Sequence, residues 1–136
     1  MIQRIQTIWL LLASLLVFLT LKFSFYSGTL VFDNTYDSLI ATDNIPLMIL
    51  TSALGTMLFI NIFLFKKRTL QIRFCLLGIL LECLVVFLYY RQLDLYSKGT
   101  FDLWASFHLL AILFIILAMR GIHKDGKIIK DSERLR

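Results

Sequence analysis

The sequence predicts an all-α membrane protein, a four-transmembrane-helix bundle with both termini cytoplasmic and with a small β-hairpin allowed in its first outer loop. Three observations carry this expectation. Of the 136 residues, 59% are hydrophobic, and the mean hydropathy is +0.81, well above the soluble range. The apolar residues gather into four blocks instead of recurring periodically as in a soluble core. Lys and Arg stand at the ends of these blocks and favour one side. A single Pro and six Gly leave little room for a linker, and no repeat of solenoid length is present. The division is therefore a transmembrane domain over residues 1–120, with spans near 7–25, 45–65, 74–90 and 101–119, and a basic cytoplasmic tail over 121–136.

The first block runs from Ile8 to Leu21 behind one positive charge, Arg4. A cleavable signal peptide fits it poorly. With its flanks the run approaches spanning length, and a cut after Ser27 would put bulky Phe25 at the minus-three position. Trp9 falls where an interfacial aromatic belongs. The connection that follows is acidic, with Asp33, Asp37 and Asp43 against Lys22, and its TLVF-DN-TYDS segment allows a hairpin. Two strands alone are marginal in water, so this hairpin needs the helix ends for support.

Asp43 or Asn44 ahead of Pro46 is a helix start, because an Asx side chain caps free N–H groups and Pro suits the first turn. The second span carries Ser52, Gly55 and Thr56, which are small enough for close backbone approach. Asn61, near its end, is read as an interfacial amide or one satisfied by backbone. The connection KKRTLQIR then concentrates Lys66, Lys67, Arg68 and Arg73. Short loops this basic remain in the cytoplasm, so the second span runs inward and the third outward. Residues 91–102 carry no net charge and fit an outer loop. The fourth span has Trp104 near its outer end and Arg120 just beyond its inner end. Eleven of the fourteen Lys and Arg fall on the cytoplasmic side in this arrangement, which is the expected localisation signature of a multi-pass bacterial inner-membrane protein.

The opening MIQRIQTIWLLLAS, the basic hinge KKRTLQIRFCLL and the closing KDGKIIKDSERLR resemble those of the Bacteroidota membrane proteins grouped as domain of unknown function 4293. The resemblance covers the whole chain, with the three motifs in the family's order. It implies a four-helix inner-membrane protein of a Bacteroidota bacterium, and it brings no activity, cofactor or catalytic residue. All three motifs lie on the expected cytoplasmic side, and Glu82 is not among them.

Glu82 stands near the middle of the third block, FCLLGILLECLVVFLYY. A charge at that depth costs about 3 kcal/mol even on lenient insertion scales, so it should face other helices, pair, or hold a proton. Helical offsets put Cys75, Gly78, Glu82 and Tyr89 on one stripe, and Trp104, His108, Ala111, Ile115 and Ala118 on another. Glu82 lies about 12 Å from Phe74 and His108 about 16 Å from Met119, so the two can meet. Ser14 and Thr56 fall at similar depths and offer hydroxyls. The plain alternative is a neutral Glu82 donating one hydrogen bond to a hydroxyl or carbonyl, and a lone His108 bonded at its second nitrogen needs no ligand.

Other chemistries are poorly supported. Cys75 and Cys83 are too far apart on one helix for a disulfide and form no CxxC pair. A b-type haem wants two axial ligands, and no second His lies in a span. No metal set or hydrolase signature appears, so no cofactor is expected. The charge of +5 lies at helix ends and not on an aromatic-interleaved stripe, which disfavours nucleic acid. Lys66, Lys67, Arg68, Arg73, Arg120, Lys124, Arg134 and Arg136 are candidate contacts to lipid headgroups or to a cytoplasmic protein, against the simpler reading that they only fix orientation. The expected partners are the lipid bilayer and a membrane or cytoplasmic protein, and oligomeric state is not readable. The favoured expectation is a non-enzymatic accessory or scaffold protein. The alternative is an oligomeric proton-coupled transporter or channel using Glu82 with His108.

Overall fold

The computed structural model describes the backbone of residues 5–134 and the side chains of residues 5–127. Four helices, α1 (Ile5–Thr20), α2 (Ile45–Phe63), α3 (Arg68–Gln92) and α4 (Ser106–Arg134), are joined at one end by a small sheet of β1 (Tyr26–Leu30), β2 (Tyr36–Leu39) and β3 (Tyr96–Phe101). Three of the helical segments, Ile45–Phe63, Arg68–Leu95 and Leu103–Lys127, are long and apolar enough to cross a membrane. Helix α1 is apolar but shorter, about 24 Å at 1.5 Å per residue.

The helix ends differ from the sequence expectation. The first helix stops at Thr20 instead of continuing to 25. There the Thr20 hydroxyl bonds the Val17 carbonyl, and Phe23 and Phe25 leave the helix to stack on Trp104 and Tyr89 at 4.1 and 4.4 Å between ring centroids. Helix α2 starts with Pro46 in its first turn as expected, but Asn44 makes no side-chain cap; its carbonyl accepts from Met48 N instead. Helix α3 begins at Arg68 and so absorbs most of the basic connection. Helix α4 passes Arg120 without a break and carries the expected tail in helical form as far as Arg134.

Neighbouring helices run antiparallel in a closed ring, α1 on α2, α2 on α3, α3 on α4 and α4 on α1. Five contacts set their register. Ser14 Oγ donates to the Gly55 carbonyl at 3.0 Å, Asn61 Nδ2 meets Cys75 Sγ at 3.3 Å, Leu58 lies against Gly78, His108 bonds Glu82 at 2.7 Å, and Gln6 lies against Gly121. Continued along α2 and α3, this register brings Leu54 level with Glu82, Thr51 level with Val85 and Leu47 level with Tyr89. Each of these six is at 0–1% exposure. Of the small residues expected to allow close approach on α2, Gly55 does so, since a Cβ there would come 3.0 Å from the Phe18 ring, as does Gly78 on α3, 3.2 Å from Leu58; Ser52 is half-buried and Thr56 exposed.

The sheet has the order β2-β1-β3, antiparallel throughout. The expected hairpin is present but starts earlier, at Tyr26, and turns through residues 31–35 with Asn34 at φ 51°, a left-handed position that Asn tolerates. The third strand, from the other long connection, was not anticipated. It answers the marginal stability of two strands, and Phe25, Leu39 and Ala41 seat the sheet on Leu47, Val85 and Tyr89 at the end of the bundle.

Candidate functional site

Two polar layers interrupt the apolar interior. The first is built by α3 and α4. Glu82 and His108, at 0% and 2% exposure, are joined by His108 Nδ1 and Glu82 Oε1 at 2.7 Å. When Glu82 is ionised, Nδ1 carries the proton and donates; when Glu82 is protonated, its hydroxyl donates to Nδ1. In both forms one proton lies between the two atoms, so the pair can hold a proton and pass it across a short bond. Phe25 and Tyr89 pack edge-on to the imidazole, with centroids at 5.6 and 5.3 Å. They hold the ring from two sides.

The surroundings of this pair are unevenly satisfied. Glu82 Oε2, the Tyr89 hydroxyl and the Thr51 hydroxyl are all buried and lack a hydrogen-bond partner among the described residues. Toward the sheet, a cavity of about 430 Å³ reaches His108 between Val86, Leu109, Phe25 and Phe101, with Asp102 at its rim. The Asp102 carboxylate accepts from Ser24 Oγ and, at 2.5 Å, from Ser27 Oγ. This ties the end of α1 to the start of α4.

The second layer lies near the opposite, basic end. Asn61 Nδ2 donates to the Gln71 carbonyl and Gln71 Nε2 to the Asn61 carbonyl, each at 3.2 Å. Backbone carbonyls only accept, so these bonds orient both amides and turn their side-chain oxygens inward, where they are buried and unpartnered together with Gln6 Oε1. The expectation that Asn61 is met by backbone holds for its nitrogen. Beyond this layer Arg68 Nη1 donates to the Asp125 carbonyl at 3.1 Å, clamping the start of α3 to α4.

Of the residues singled out from sequence, Glu82 and His108 are brought together. Ser14 and Thr56 are not part of that group. The Ser14 hydroxyl is taken by the Gly55 carbonyl, and Thr56 is exposed with its hydroxyl on the Ser52 carbonyl. Lys66, Lys67, Arg73, Arg120 and Lys124 are exposed around the basic end, and Arg68 is half-buried there. Arg136 and the side chain of Arg134 lie outside the described residues. Thr51, Gln6 and Gln71 were missed. Their signal was available in the helical stripes that run through Leu10, Ala13 and Val17 on α1 for Gln6, through Leu47, Leu54 and Leu58 on α2 for Thr51, and through Cys75 and Gly78 on α3 for Gln71. No group of three His, Cys, Asp or Glu that could hold a metal ion is present among the described residues.

Comparison with curated proteins and with solved structures gives no match. A family model described as "Domain of unknown function (DUF4293)" matches residues 2–135. With nearly its whole length covered, the chain belongs to that family.

Proposed function

We propose that this chain is a multi-pass protein of the inner membrane of a Bacteroidota bacterium, with both termini cytoplasmic, and that it serves as a non-enzymatic accessory or scaffold protein. The observation that carries this reading is the solid interior between the two polar layers. Leu58, Ala111 and Ile115, between the layers, are each at 0% exposure, which supports reading a single copy as lacking a polar route along its axis. Its outward faces are apolar instead, with Leu80, Leu109 and Phe63 at 66–70% exposure, as suits contact with lipid or with another membrane protein. The exposed lysines of the basic connection then offer a charged contact next to the headgroups. Crosslinking in native membranes should trap a defined partner that is lost when Lys66, Lys67 and Arg68 are replaced by Gln. Recovery of an uncrosslinked single chain from wild-type membranes would overturn the scaffold reading.

A second reading, an oligomeric proton-coupled transporter or channel, is favoured by the 2.7 Å Glu82–His108 pair, of which His108 lines a cavity of about 430 Å³. In reconstituted vesicles Glu82→Gln should then abolish a pH-dependent flux while the protein stays folded. Absence of flux in the wild-type protein would remove this reading.

A further inference from the structure

Between α3, α4 and the sheet, a cavity meets the one ring nitrogen that the Glu82–His108 pair leaves unbonded. His108 commits Nδ1 to Glu82, and Nε2 has no hydrogen-bond partner among the described residues. Glu82 Oε2 and the Tyr89 hydroxyl are unpartnered and sealed in the interior, whereas Nε2 is not among the sealed atoms. The little surface that His108 keeps, 2%, belongs to the wall of the cavity. Two other polar side chains line it, both nearer the surface, with Asp102 half-buried and Ser106 exposed. Ser106 Oγ donates to the Leu103 carbonyl, and the Asp102 carboxylate accepts from Ser24 and Ser27. Deep in the cavity, Nε2 is therefore the group that remains to meet a ligand.

The lining selects among ligands. A volume of about 430 Å³ lies toward the small end of ligand pockets, roughly 300–1,000 Å³, which suits a ring system and excludes a lipid with two chains. No Lys or Arg lines the cavity, so a phosphate or carboxylate head would enter without a countercharge. Phe25 and Phe101 wall it with rings nearly perpendicular to each other, at 85° and 5.8 Å between centroids, and a further aromatic ring packs on such walls edge to face or offset. A hydroxyl is the group that meets Nε2 in either tautomer, since it accepts when Nε2 carries the proton and donates when Nδ1 does. The match holds wherever the proton between Glu82 and His108 sits.

We propose that this cavity binds an uncharged, membrane-soluble phenol, with its hydroxyl on His108 Nε2 and its ring among Val86, Leu109, Phe25 and Phe101. Leu109 and Phe101 are at 70% and 60% exposure, so the entrance lies on the outward, apolar flank of the bundle. A ligand dissolved in lipid reaches it from the side. The membrane placement proposed above supplies that route, and the binding chemistry rests on neither functional reading.

The test uses the full chain in an uncharged detergent at neutral pH, with naphthol, a two-ring phenol, as the probe and empty micelles as the reference for simple partition. Equilibrium dialysis should show saturable binding of one naphthol per chain above that reference. Naphthalene, which lacks only the hydroxyl, should bind about tenfold more weakly, the size of one hydrogen bond. Decahydronaphthol keeps the hydroxyl on saturated rings and should also bind several-fold more weakly. His108→Asn offers Glu82 an amide nitrogen near the place of Nδ1 and removes Nε2, so the preference for naphthol over naphthalene should vanish. Val86→Phe narrows the cavity from α3 without touching the pair and should abolish saturable binding while the circular dichroism stays that of the wild type. Absence of saturable binding, or equal affinity for naphthol and naphthalene in the wild type, would overturn the site. Decahydronaphthol binding as tightly as naphthol would overturn the choice of a phenol, and naphthol binding undiminished in a folded Val86→Phe protein would overturn the cavity. The three probes on the wild-type chain decide the matter even where a variant fails to fold.

Discussion

Glu82 and His108 depend on each other. A carboxylate at 0% exposure is tolerable because His108 Nδ1 lies 2.7 Å from one of its oxygens, and removing the imidazole leaves an uncompensated polar group in an apolar interior. His108→Leu should therefore destabilise the protein by about 3 kcal/mol, whereas the double variant Glu82→Leu with His108→Leu should recover most of that loss. Denaturant unfolding of the wild type, the Glu82→Leu and His108→Leu single variants and the double variant in one detergent measures both, and a double variant as unstable as His108→Leu would show that the two are not an energetic unit. This pair was legible in the sequence because one acid interrupts an apolar block and a His lies on the facing stripe at a compatible depth. The hydroxyls were not. Whether a Ser or Thr on an apolar helix closes onto a nearby carbonyl, as Ser14 and Thr56 do, or stays open, as Thr51 does, depends on backbone geometry that no spacing rule reports.

At the scale of elements, the sheet shows how a contact between distant segments decides local structure. Strands β1 and β3 pair with Gly28 opposite Gly99. A Cβ on Gly28 would collide with the Lys98 carbonyl, and one on Gly99 would come within 2.5 Å of the Ser27 carbonyl and 2.6 Å of the Tyr26 ring. Only hydrogen fits at either position. Gly99→Val should cost about 1–3 kcal/mol through overpacking and should detach β3 first. Hydrogen exchange should then show faster exchange at Lys98 N–H and its neighbours while the buried amides of α2 stay protected, and unchanged exchange in β3 would count against the close approach. The four helices were readable because each is an apolar block of helical length. Their ends were not, because Phe23 leaves α1 for Trp104 and Phe25 leaves it for Tyr89, partners far away in sequence. The strand YSKGTF carries too weak an alternation to be recognised alone, and it forms because β1 supplies a paired edge.

For the molecule as a whole, the distribution of charge argues for one orientation. The sheet and its acidic connections occupy one end of the ring of helices, while Lys66, Lys67, Arg68, Arg120 and Lys124 surround the other. Among the described residues Arg73 and Lys127 join them, against Lys22, Arg91 and Lys98 elsewhere, and short loops this basic are ordinarily retained in the cytoplasm. The described part of helix α1, Ile5–Thr20, is apolar along its length. After Thr20, Phe23 and Phe25 pack on Trp104 and Tyr89. Orientation can be tested with single cysteines. Cys75, buried, and Cys83, exposed, are first replaced by Ala and Ser. Asp33→Cys in the turn between β1 and β2, or Lys67→Cys just before α3, then places one thiol at an exposed position at either end. A membrane-impermeant maleimide added to intact spheroplasts should label the Asp33→Cys protein, and the Lys67→Cys protein only after lysis. The reverse pattern would invert the orientation and move the basic end, with any partner it recruits, to the outer face. Equal labelling of both before lysis would show that the helices do not separate the two ends across a bilayer.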